Sequence, residues 1–189
     1  MKRTGFSLSP AVPLCWFCAA IIMPPAQLVC FALAIAVHEA AHLAAMRLLG
    51  ISVLQIRVLP AGLEISRGGE LTSYGADAAV SLAGPAASVV TGAACLAFGG
   101  WFRLYGILSL ILGTFNALPI LGLDGGAALL AFLSARLPPE KAKRFSNAVS
   151  MSLTVALWTA SVWIMLVTDG NASLFVISCL LFFSQAFGK

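Results

Sequence analysis

The chain has 189 residues, 60% of them hydrophobic and 10% charged, with a mean hydropathy of +0.99 and a formal net charge of +4. A soluble domain of this size carries about 25% charged residues, so the composition excludes one and points to a single membrane-embedded domain spanning 1–189, an all-α polytopic protein. The basic residues gather at helix ends rather than on one stripe, which excludes a nucleic-acid interface. The 5 scattered cysteines, an odd number lying mostly in apolar runs, exclude a disulfide framework.

Met1-Lys2-Arg3 has the basic start of a signal peptide, but no A-x-A-like site follows and the next apolar stretch begins at once. Phe6 to Met23 is therefore expected as a retained first span, ended by Pro24-Pro25. Cys15 and Cys18 in it have redox spacing, yet without a βαβ context they read as packing residues. A second span is expected from about Ala26 to Leu49, capped by Gly50.

That second span carries the chain's 2 histidines, in His38-Glu39-Ala40-Ala41-His42. Residues four apart project from the same helix face, so both imidazoles can bind one ion. This is the H-E-x-x-H pattern, whose mechanics are two zinc ligands and a glutamate acting as general base. Two imidazoles and a carboxylate in a bilayer-spanning segment are costly, and such groups default to a functional reading.

Ile51 to Leu59 is rich in β-branched residues and roughly alternates, Pro60-Ala61-Gly62 turns the chain, and Leu63 to Arg67 can return. A β-hairpin over about 51–67 is expected, packed near the membrane interface because a hairpin cannot span lipid. A third span follows from about Ala76 to Phe98, where Gly84 and Gly92 suit helix packing. A fourth runs from about Phe102 to Leu118 and stops at Pro119. A short helix covers Gly125 to Leu137, then the polar stretch Pro138 to Arg144. The fifth span covers about Phe145 to Val167, Asp169-Gly170-Asn171 turns, and a sixth runs from Ala172 to Phe187. Asn171-Ala172-Ser173 has the form of a glycosylation sequon, but in so short a turn it reads as loop chemistry.

With about six transmembrane helices and the N-terminus inside, every Lys and Arg except Arg103 falls on the inner face. That is a positive-inside bias, and it expects both termini in the cytoplasm. It also puts His38 and His42 in the cytoplasmic half of their helix.

A catalytic zinc takes three protein ligands and keeps one position for water. With no third histidine, the remaining ligand must be a carboxylate or a cysteine. Asp169 falls on the outer face, Glu140 sits among lysines, and Glu64 and Glu70 read as solvated interface residues. Asp124 stands instead in Asn116-Ala117-Leu118-Pro119-Ile120-Leu121-Gly122-Leu123-Asp124-Gly125, an apolar stretch broken by proline and glycine. Irregular backbone at membrane depth is tolerated where protein buries it or it lines a wet cavity, so a carboxylate there is placed to approach a metal on a neighbouring helix. The alternatives are capping: of the next helix by Asp124, and of backbone freed by Pro119 for Asn116.

Together these motifs resemble the site-2 intramembrane zinc metalloproteases. The resemblance rests on His38-Glu39-x-x-His42, on Asn116-x-x-Pro119-x-x-x-x-Asp124-Gly125, on Ala83-Gly84-Pro85 and on the glycine-bearing hairpin, and covers about 26–136, the expected catalytic core. It implies one zinc ion held by His38, His42 and Asp124, Glu39 as catalytic acid/base, and Asn116 with Pro119 at the substrate. The six-span layout looks most like the sporulation-type branch, whose members process a membrane-tethered sigma-factor precursor. Two departures stand out. Gly122 occupies a position where that branch often has a second proline, and the chain stops at Lys189 with no soluble regulatory domain or PDZ-like insertion.

The function expected is therefore hydrolysis of peptide bonds in membrane-tethered protein substrates near the cytoplasmic face of a bacterial inner or cell membrane. Regulation is left to a membrane partner, or is absent. The rival reading is a non-catalytic metal-binding membrane protein or a transporter. A transporter should display several intramembrane charges along a pathway, whereas here the polar groups converge on one constellation.

Overall fold

The computed structural model describes residues 5–59, 62–68, 73–168 and 173–187. The expected turns at Pro60-Ala61 and Asp169-Gly170-Asn171, the carboxylate of Glu70, and the terminal charges Lys2, Arg3 and Lys189 lie outside those residues. The protein is mostly helical and divides into two compact units, Met1–Phe115 and Asn116–Lys189.

In the first unit, strand β1 (Gly5–Leu8) precedes helix α1 (Ala11–Ile22), and α2 (Pro25–Leu48) follows Pro24. The first helix thus starts later than the apolar run suggested, because Gly5–Leu8 runs parallel to β2 (Ser52–Leu59), with Gly5 opposite Gln55. β2 also pairs antiparallel with β3 (Gly62–Gly68), with a register shift between Val53 and Gln55. β2 is therefore the central strand of three.

α2 begins with Pro25 at its first turn, where a missing N–H costs nothing. It ends in a Schellman motif: Gly50 adopts φ 68°, its N–H donates to Arg47 O at 3.2 Å, and Ile51 N–H donates to Met46 O at 2.9 Å. The buried residues of α2 are Cys30, Ala34, His38, His42 and Met46, a stripe at spacing four that lies against α3 (Tyr74–Leu96). Ser73 caps α3 by accepting from Ala76 N–H at 3.2 Å. α4 (Gly100–Asn116) packs on α3 through small residues: a β-carbon on Gly106 would stand 2.8 Å from the Gly92 carbonyl oxygen.

In the second unit a loop from 117 to 123 leads into α5 (Asp124–Ser134), and α6 (Pro139–Val167) and α7 (Ser173–Phe187) follow. α6 starts within the polar stretch and is the longest helix described, at 29 residues. It buries Ala142, Ser146, Ser150, Thr154 and Ser161, while Phe145, Trp158 and Trp163 are exposed. Small polar residues inside and large apolar ones outside is the arrangement of a helix bundle solvated by lipid. Its polar face is internally bonded: Gln185 Nε2 donates to Thr154 Oγ1 at 2.6 Å, and the Ser161 and Ser178 hydroxyls meet at 3.1 Å.

Three of the described helices, α2, α3 and α6, are long and apolar enough to cross a membrane. The other expected spans, α1, α4 and α7, have 12, 17 and 15 residues. About 20 residues are needed to cross the hydrocarbon core without tilt or thinning.

Candidate metal centre

His38 and His42 stand one turn apart on the buried face of α2, with 4% and 8% of their surface exposed. Both are anchored by α3 at the ring nitrogen turned away from the other. His42 Nδ1 lies 2.8 Å from the Val80 carbonyl oxygen, which can only accept, so Nδ1 carries the proton and a neutral ring has a bare Nε2. His38 Nδ1 is 3.0 Å from Ser88 Oγ, and the Ser88 carbonyl in turn accepts from Ser109 Oγ at 3.0 Å. Fixing one ring nitrogen is how a protein orients the other as a metal ligand.

The two other ring edges converge: Nε2 of His38 and Nε2 of His42 are 3.2 Å apart. Two imidazole nitrogens, each about 2.0–2.1 Å from a tetrahedral ion, stand roughly 3.3 Å from one another. The observed separation suits zinc without rearrangement of either ring.

Space for the rings comes from Gly84. A β-carbon there would overlap His42 Nε2 and stand 2.7 Å from His38 Nε2. Read in the sequence as better suited to helix packing than to catalysis, Gly84 lies as a floor beneath both Nε2 atoms. Pro85 follows it inside α3 and removes one amide donor from the helix ladder. Glu39 is half-buried on the turn between the two histidines.

The other candidates belong to the second unit. Asn116 ends α4, Pro119 lies in the loop, and Asp124 is the first residue of α5, half-buried, with Leu123 as an N-cap that makes no side-chain cap bond. Glycines draw this loop tightly over α5. A β-carbon on Gly125 would stand 2.5 Å from the Leu118 carbonyl oxygen, and one on Gly126 would stand 2.6 Å from the Ile120 carbonyl carbon. Gly122 itself has φ 93°, a conformation closed to proline and strained for other side chains.

Val80 and Ser88 escaped the sequence reading, since nothing local marks a carbonyl 38 residues away or a serine 50 residues away as histidine partners. The signal available was Ala83-Gly84-Pro85 between them.

A family model, that of Peptidase family M50, matches residues 99–157, the stretch from α4 to the middle of α6 that includes Asn116, Pro119 and Asp124. No curated protein matches the chain significantly. Among solved structures the chain is similar to the Site-2 Protease from Methanocaldococcus jannaschii, with a TM-score of 0.69 and 20% identity over 98% of this chain and 92% of that one. The fold is thus that of a site-2 protease, and with the M50 segment it supports an intramembrane metalloprotease.

Proposed function

We propose that the chain is a zinc endopeptidase that cuts membrane-tethered proteins near the cytoplasmic face. The observation that carries this reading is the histidine pair, with each Nδ1 engaged and the two Nε2 atoms 3.2 Å apart over a glycine floor. Asp124 is assigned as the third ligand beside His38 and His42, as the resemblance of its motif implies. When bound, zinc supplies Lewis acidity, polarising a carbonyl and lowering the pKa of water to about 7.

The remaining steps fall to the chain's own residues. Glu39 takes the proton of the attacking water and returns it to the leaving amine nitrogen. Asn116 offers both an amide donor and an acceptor, which suits an extended substrate backbone, and Pro119 fixes the shape of the adjoining edge. A helical substrate must unwind to expose its peptide bond. An added strand is one way to hold it, and since β2 is paired on both sides, the outer edge of β3 is the assigned place. Proline scanning across Leu63 to Ser66 should then lower cleavage, and unaltered cleavage would remove this role.

The positive-inside bias supports six crossings with both termini in the cytoplasm. A sigma-factor precursor is the substrate suggested by the sporulation-type resemblance. Co-expression with candidate single-span substrates tests the reading: Glu39→Gln should abolish product while zinc is retained. Undiminished cleavage by that variant would sink it.

A further inference from the structure

Several backbone groups of the loop that leads to Asp124 bond within it. Ile120 N–H donates to Leu118 O at 2.7 Å, Leu123 N–H to Ile120 O at 3.0 Å, and Gly126 and Ala127 N–H both donate to Leu123 O. Leu121 bonds outside the loop. Its N–H donates at 2.7 Å to the hydroxyl of Ser150, which is fully buried in the middle of α6.

Next to that contact the loop is clamped from the other side. Ile120, 1% exposed, is seated so closely on Gly126 that no β-carbon would fit between them. Leu121 is three residues before Asp124, and Leu123 makes no side-chain cap to hold the start of α5. The hydroxyl of Ser150 thus makes a side-chain hydrogen bond that ties the loop to a 29-residue helix.

We infer that Ser150 is a positioning residue: its hydroxyl pins Leu121 and so sets where the Asp124 carboxylate stands as zinc ligand. This rests on the zinc peptidase reading above. A partner that orients a ligand through backbone acts like other outer partners of metal sites, whose removal costs about 10–100-fold in metal affinity or activity.

α6 supplies its own control. Ser146 lies one turn before Ser150 on the same buried face, 1% exposed, and its hydroxyl has no hydrogen-bond partner among the described residues. Ser146→Ala and Ser150→Ala remove the same atom from the same helix at equal burial, and only the second unpins the loop.

The test uses the full chain in lipid vesicles, with zinc affinity measured by chelator competition and kcat and KM on a single-span substrate. Ser150→Ala should weaken zinc binding by about tenfold or more and lower kcat with KM little changed. Ser150→Thr, which keeps the hydroxyl, should recover most of the loss, and Ser146→Ala should match the wild type. Should Ser150→Ala fail to fold, the Ser150→Thr affinity decides: a value as low as that of Asp124→Ala overturns the inference. It is overturned equally if Ser150→Ala keeps wild-type affinity, or if both alanine variants lose zinc alike. A wild-type chain that binds no zinc would overturn the peptidase reading as well, which separates the two failures.

Discussion

At the scale of single residues, His42 owes its ligand-ready nitrogen to a carbonyl on another helix, and His38 owes its orientation to a buried serine hydroxyl. Ser88→Ala should therefore lower zinc affinity by about 10–100-fold, read by chelator competition, because the His38 ring loses its outer partner. Affinity equal to wild type would mean that Ser88 only fills space. Gly84→Ala makes a stronger demand. Its β-carbon would occupy the place of both Nε2 atoms, so the purified variant should carry almost no zinc while still folding into membranes. Full zinc occupancy in Gly84→Ala would contradict the glycine floor. That His38 and His42 share one face of α2 was legible in the sequence, since their spacing fixes it within one helix. Val80, Ser88 and Gly84 were not, because their roles arise from how α3 lies on α2, and linear spacing carries no such information.

At the scale of elements, several helix ends and the β2–β3 pairing read well, and the partner of β1 did not. Gly50 was expected to cap α2 and does so with φ 68°, and Pro24-Pro25 separates α1 from α2 as its lack of amide donors dictates. By contrast, Gly5–Leu8 pairs with a strand some 50 residues on, and a short apolar run ahead of a helix does not distinguish a strand from the helix's first turn. The α3–α4 contact offers a packing test. Gly106→Val would force a side chain against the Gly92 carbonyl, and overpacking of this kind costs about 1–3 kcal/mol. The expected outcome is a lower thermal midpoint in detergent, without loss of zinc ligands. An unshifted midpoint would show that the helices can part at no cost.

For the molecule as a whole, lipid is the solvent that its surface anticipates: many aromatic and branched side chains are exposed, and the buried polar residues are mostly serines. On the proposed six crossings, Arg103 alone stands opposite every other basic residue. In a cysteine-free background in sealed vesicles, Glu140→Cys should react with a membrane-impermeant thiol reagent from the cytoplasmic side and Arg103→Cys from the other. Labelling of both from one side would overturn the topology. The most direct measurement is cleavage of a single-span substrate by the purified chain in lipid vesicles, after zinc is stripped and returned stepwise. Activity is expected to vanish on stripping, to return with about one zinc per chain, and to stay absent in Glu39→Gln at any zinc level. Cleavage by the stripped chain, or by Glu39→Gln, would contradict a zinc peptidase built on His38, Glu39, His42 and Asp124.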